Sequence, residues 1–311
     1  MSDALILDGD GTGGSAGAAG LLAPGARLEA IAHGGDLFQG PVWLGDALVW
    51  SDLEANTVLA WDADRGTRTW ISRSAFQNGH AVDSQGLLYA ASHGERAVVR
   101  READGHWVIV ADLLVDRRFN APSDLVVTGE GAVWFTDPRT GLTDPAQGYG
   151  GEAEVDGAHV YRVSPGVRRG GVLGGVQCMS ADLPAMSAPT GLAFSPDETV
   201  LYVTDAEEDV VWGFRVRPDL DRMLMSHRWL VHTSVHGTPR GVRVDPAGRL
   251  WVTSSAGVEI LGAPPRGGKA PYLGVLRTPS PATNLAFSAD HRVLAITTTH
   301  TVFLVALGDL A

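Results

Sequence analysis

Six polar residues open six similar stretches of this chain, and together they form a set that could bind and polarise a small molecule. The stretches begin Gln39-Gly-Pro-Val-Trp, Asn78-Gly-His-Ala-Val, Ser123-Asp-Leu-Val-Val, Thr190-Gly-Leu-Ala-Phe, Arg240-Gly-Val-Arg-Val and Thr283-Asn-Leu-Ala-Phe. Amides and hydroxyls orient a ligand through hydrogen bonds. A guanidinium grips a carboxylate or phosphate by two parallel hydrogen bonds, or stabilises an oxyanion or enolate. Asp124, next to Ser123, adds a carboxylate that could instead pair with Arg240 and plug the site. For proton transfer the chain offers His80, with His93 as the weaker candidate. No G-x-S-x-G elbow supports a Ser123–His80 nucleophilic pair. His232 and His236 are four apart, but their setting reads as a loop, so the helical spacing of a metal-binding pair is missing. Cys178 is the single cysteine, which rules out an internal disulfide and fits a reducing compartment.

The elements that must position these groups are short strands. Asp46-Ala-Leu-Val-Trp-Ser-Asp, Gly86-Leu-Leu-Tyr-Ala-Ala, Ala132-Val-Trp-Phe, Val200-Leu-Tyr-Val, Arg249-Leu-Trp-Val and Val293-Leu-Ala-Ile repeat one rhythm, with Asp-, Gly- and Pro-rich turns between strands. No long segment has a 3.6-residue apolar period, so helix should be scarce. The six openings are 39, 45, 67, 50 and 43 residues apart, each spacing long enough for four antiparallel strands. That period predicts an all-β, six-bladed β-propeller. The sixth repeat is one strand short, and Arg27-Leu-Glu-Ala-Ile-Ala is expected to supply that strand, closing the ring and hiding its edges. The first strand of each propeller blade lines the central channel, so Gln39, Asn78, Ser123, Thr190, Arg240 and Thr283 are expected to share one polar pocket. The long third spacing implies an insertion, Asp137 to His159, over one end of the channel.

Residues 1–24 read as a flexible Gly/Ala-rich tail and 25–311 as one domain. The tail's Asp8-Gly-Asp10-Gly-Thr12 resembles the start of a calcium loop, but Ala19 stands where the bidentate glutamate belongs. The net charge of −12 argues against nucleic acid and anionic membranes as partners. With no signal peptide or membrane span evident, a cytoplasmic location is expected.

These motifs resemble the SMP-30/gluconolactonase/LRE family. Phe38-Gln-Gly-Pro-Val-Trp is similar to its E-G-P-V-W, and Asn78-Gly-His-Ala-Val-Asp with His93-Gly94 to its N-G-H-T-x-D…H-G. Asn120-Ala-Pro-Ser-Asp-Leu-Val-Val with Trp134-Phe-Thr-Asp-Pro is similar to N-x-P-N-D-V-V-V…W-F-T-D-P. Pro189-Thr-Gly-Leu-Ala-Phe-Ser-Pro-Asp-Glu resembles P-N-G-L-A-F-S-P-D-E, and Pro239-Arg-Gly-Val-Arg-Val-Asp resembles P-D-G-x-R-V-D. The resemblance implies a propeller that hydrolyses lactones or phosphoesters with one central divalent ion, often calcium. It places the ion's ligands at Gln39, Ser123, Thr190 and Arg240, and all four depart from the family's Glu, Asn, Asn and Asp. With both carboxylates gone and a permanent cation in one position, the expectation is no metal cofactor. Asp124, Glu152 or Glu154 would be needed to restore one. The leading expectation is a metal-independent enzyme acting on an anionic or lactone-like metabolite, with Arg240 as electrostatic anchor and His80 as proton-transfer group. Gln39, Asn78, Ser123, Thr190, Thr283 and Asp124 would bind the rest of the substrate. Isomerase, cyclase or lyase chemistry would also suit these groups. The alternatives are a non-catalytic ligand-binding propeller and a metal-dependent lactonase with relocated ligands.

Overall fold

A computed structural model describes residues 7–8, 20–166, 175–219 and 222–310. The chain is a six-bladed β-propeller of four-stranded antiparallel sheets. The one helix among the described residues is a single turn, Thr140–Thr143. The backbone divides into two compact units, Gln39–Leu192 and Met1–Phe38 with Ala193–Ala311.

In the Gln39–Leu192 unit the second blade shows the common plan, with strands Gln77–Val82, Leu88–Ser92, Ala97–Arg101 and Trp107–Ala111 paired in sequence order. Strands Leu125–Val127, Val133–Asp137, His159–Val163 and Val176–Cys178 make the third. Between these two blades lies a core of Tyr89, Val98, Phe119, Leu125, Phe135 and Tyr161. The insertion lies between the second and third strands of the third blade. Tyr149 in it packs edge-on against Phe76, ring centroids 5.0 Å apart.

The other unit contains the ring closure. Glu29–His33 pairs antiparallel with Thr301–Ala306, Glu29 opposite Leu304 and His33 opposite Thr301, as the missing strand requires. Part of the stretch read as a tail is also engaged. Leu7–Asp8 pairs with Leu276 and Val275 of the fifth blade, and Leu21 is buried among Trp251, Ile260, Leu294 and Leu307. Residues 1–6 and 9–19 of that stretch lie outside the described residues.

The residue after each leading polar group explains the close packing of the innermost strands. A Cβ on Gly79 would lie 2.7 Å from Asp124 Cα, and one on Gly241 would lie 2.7 Å from Asn284 Cα. Glycine is therefore required at both positions. The Gly79 amide donates to Ser123 O at 2.8 Å and that of Gly241 to Thr283 O at 3.1 Å. Asp124 and Asn284, which replace glycine in the third and sixth repeats, turn their carbonyl-type oxygens onto the next amides, Leu125 N and Leu285 N. Threonine hydroxyls join neighbouring blades as well. Thr136 Oγ1 donates to Thr190 O at 2.6 Å, Thr204 Oγ1 to Arg240 O at 2.5 Å and Thr253 Oγ1 to Thr283 O at 3.2 Å. Each fixes the backbone at a leading polar residue.

Candidate functional site

In the Gln39–Leu192 unit, Asn78 and Ser123 are buried side by side. Asn78 Nδ2 donates to Ser123 Oγ at 3.2 Å and faces His93 Nε2 at 3.1 Å. The other ring nitrogen of His93, Nδ1, is 2.8 Å from the carbonyl of Gln147 in the insertion, so Nδ1 carries the proton and Nε2 accepts. Burial pushes His93 down to about 4, so it is neutral at pH 7. Gly141 makes room for it: a Cβ there would meet the imidazole at 2.6 Å. His93 thus connects the insertion to Asn78.

His80 is also buried and neutral, pushed down to about 4 chiefly by desolvation. Its Nδ1 donates to Gly40 O at 2.8 Å, while Nε2 is buried without a hydrogen-bond partner among the described residues. In the aligned repeats its position is taken by Leu125, Leu192, Val242 and Leu285, all buried. That geometry is a strut between blades, and it gives the expected proton-transfer role no solvent access. Asp124 is 2 % exposed, with Oδ1 accepting from Leu125 N at 2.9 Å. Thr190 Oγ1 donates to Ala188 O at 3.0 Å. Gln39 is buried, and its side-chain amide makes no hydrogen bond to a described residue.

In the other unit, Thr283 is committed to structure. Its hydroxyl donates to Phe38 O at 2.5 Å and lies 2.9 Å from Thr297 Oγ1. Arg240 differs. It is half-buried, its carbonyl is held by Thr204, and its guanidinium has neither a hydrogen bond nor an ion pair with any described residue. Burial pushes its pKa down from the ordinary value, and no carboxylate opposes the shift. Of the six leading residues, Gln39 and Arg240 are the two whose side chains have no hydrogen-bond or ion-pair partner among the described residues.

His232, set aside as a loop histidine, lies in the strand Arg222–Thr233 with Nε2 2.6 Å from Oε2 of fully buried Glu259. The other Glu259 oxygen accepts from Ser234 Oγ and from the backbone amides of Val235 and His236. Nothing local in the sequence marks Glu259, whose strand Gly257-Val-Glu-Ile-Leu is otherwise apolar. The pair holds the loop leading to Arg240, and no metal-binding role follows from it. Among the described residues, no three His, Cys, Asp or Glu side chains converge as metal ligands. No described helix is long and apolar enough to cross a membrane.

The leading polar groups stand at the starts of the inner strands of a six-bladed β-propeller, and that class of fold frames the comparison with known proteins. Within that class the chain belongs to the SMP-30/gluconolactonase/LRE-like family, whose model matches residues 37–300. It is 29 % identical over 300 residues to a gluconolactonase of Zymomonas mobilis, covering 88 % of this chain and 80 % of that protein. The structure of a gluconolactonase from Xanthomonas campestris superposes with a TM-score of 0.85 at 33 % identity, covering 98 % of this chain and 95 % of that one. A putative gluconolactonase solved by structural genomics gives 0.81 at 30 % identity, covering 93 % and 94 %.

The divalent ion that the family resemblance implies can be tested against the residues present. Gln39 offers one amide oxygen, Ser123 and Thr190 offer hydroxyls, and Arg240 offers a cation. Hard divalent ions need several oxygens, normally including carboxylates. This set contains no carboxylate and carries a positive charge, so it does not fit the ion.

Proposed function

We propose that this protein processes a small lactone or its hydroxy-acid relative, with Arg240 as the electrostatic anchor and without a divalent ion at the family's ligand positions. The observation that carries this reading is the guanidinium of Arg240, which has no hydrogen bond or ion pair among the described residues. A partly buried cation without a partner is costly, and an anionic ligand group or a developing oxyanion would offset that cost. The similarity to gluconolactonases makes a lactone the natural substrate class. In lactone hydrolysis, water adds to the ring carbonyl, negative charge collects on the carbonyl oxygen, and the ring C–O bond then breaks to release a hydroxy acid. Arg240 would stabilise both the oxyanion and the product carboxylate. His80 is assigned a positioning role, holding Gly40, because its buried neutral ring lacks access to solvent.

The test is Arg240→Ala assayed on gluconolactone and related sugar lactones, alongside protein dialysed against EDTA. The expected kcat/KM falls about 100-fold or more, as for loss of one oxyanion donor. The melting temperature should hold or rise, because an unpaired cation has been removed. EDTA should change neither rate nor melting temperature. Unchanged turnover in the variant, or loss of activity on chelation, would refute the proposal. The burial of His80 favours a second reading, a non-catalytic binder. Under that reading gluconate binds to the wild type and not to Arg240→Ala, while no lactone is turned over.

A further inference from the structure

The Gln39–Leu192 unit contains a cavity of about 320 Å³ between the outer parts of the first two blades. Its walls include Ile71 of the strand Gly66–Ser72, Val99 of Ala97–Arg101, and Trp107 and Ile109 of Trp107–Ala111. Its size lies at the small end of ligand pockets, roughly 300–1,000 Å³.

The polar groups of the lining divide sharply. Ser74 donates its hydroxyl to Asn56 Oδ1. Ser92 donates to Ala75 O at 2.7 Å and accepts from Glu95 N at 3.1 Å. Gln77 also lines the cavity. It is 4 % exposed, its Oε1 is wholly buried, and its side-chain amide makes no hydrogen bond to a described residue. Buried amides are almost always paired, because an unpaired one forfeits its hydration. Gln77 faces the cavity, whereas its neighbour Asn78 is spent on Ser123 and His93.

The rim is pre-formed. Arg73, Ala75 and Phe76 all hold left-handed backbone, with φ of 59°, 57° and 53°. Asn56 Oδ1 accepts from Phe76 N, and Ala75 O accepts from Gly94 N, which pins the segment. Sustained strain of this kind persists only where surrounding structure over-determines it. Exposed Arg73 and Glu95 line the cavity with opposite charges, so its mouth has no net preference for charge.

We infer that this cavity is a binding site for a small uncharged carbonyl compound, such as a carboxamide, with an aromatic or compact apolar body. The apolar body packs on Trp107, Ile71, Val99 and Ile109. The ligand's carbonyl accepts from Gln77 Nε2, which has no hydrogen bond to a described residue and, unlike Oε1, is not sealed from the cavity. The site is separate from Arg240 and does not depend on the function proposed for it.

Benzamide is the probe and toluene the control, titrated by NMR against the full chain, with the indole N–H signal of Trp107 assigned from Trp107→Phe. Benzamide should shift that signal saturably and bind at least 10-fold more tightly than toluene. Gln77→Leu should weaken benzamide at least 10-fold and leave toluene unchanged. Trp107→Ala, on a half-buried outer-strand position, serves if Gln77→Leu fails to fold, and it should weaken both probes. The inference is overturned if neither probe moves the Trp107 signal, if both bind equally to the wild type, or if the folded variants bind benzamide as the wild type does.

Discussion

Asn78 spends its amide hydrogens inside the protein, one toward Ser123 Oγ and one toward His93 Nε2. An aspartate of the same shape cannot donate either bond. In Asn78→Asp, a carboxylate would face the unprotonated nitrogen of His93. The expected consequence is a rise in the His93 pKa from about 4, because a nearby negative charge favours imidazolium. Stability at pH 7 should fall by about 2 kcal/mol, since one partner of each bond is lost. An imidazole NMR titration with a urea melt checks both, and an unmoved His93 would show that residue 78 does not face the imidazole. At this scale the sequence discloses position better than availability. The repeat singles out six leading residues, yet only the folded chain separates Thr283, whose hydroxyl is given to Phe38 O, from Arg240, whose guanidinium is given to nothing described. Gln77 sits one residue before a motif and looks like any strand residue. Its importance comes from Ile71 and Trp107, which are near it in space and distant along the chain.

The innermost strands were legible for a physical reason: close approach leaves a glycine signature. Gly241 has no left-handed backbone to maintain, so its substitution probes the approach alone. An added Cβ would sit 2.4 Å from Asn284 Oδ1 and 2.7 Å from its Cα. Gly241→Ala should therefore cost about 1–3 kcal/mol, the range for forcing an extra methyl into a packed interior. Asn284→Gly in the same background should recover part of that cost by removing Oδ1 and Cγ, while the contact with Cα remains. Chemical denaturation of the two single variants and the double variant measures the coupling. Strictly additive effects would mean that the strands simply move apart. The threonine bonds between blades were not legible, because a threonine in a strand is ordinary and its acceptor lies in the next repeat. The strand Leu7–Asp8 was missed for another reason. Two residues beside a glycine-rich run carry too little pattern to outweigh its composition.

Over the whole molecule, three buried titratable groups set opposing slopes of stability against pH. His80 and His93 are pushed down from 6.5 to about 4, so between these values the unfolded chain binds more protons. Their contribution is present above pH 6.5 and is lost as pH falls toward 4. Asp137 has the opposite sign. Burial pushes its carboxyl up from 3.8 to about 7, against the amides of Asn120 and Ala121 and the charge of Arg96. Its Oδ1 is buried without a partner among the described residues. The native state therefore holds this proton more tightly, and stability falls as pH rises from about 4 to 7. With two groups against one, the wild type should lose stability on acidification between pH 6.5 and 4, but with a blunted slope. Asp137→Asn removes the counter-slope while an amide oxygen still accepts from Asn120 N. Any cost of the substitution that does not depend on pH cancels when two pH values are compared. Relative to the wild type, the variant should gain roughly 2 kcal/mol or more at pH 8 compared with pH 4.5. Urea unfolding at the two pH values reads this difference directly. If it is zero, Asp137 is ionised throughout, and the pairing with Arg96 outweighs burial.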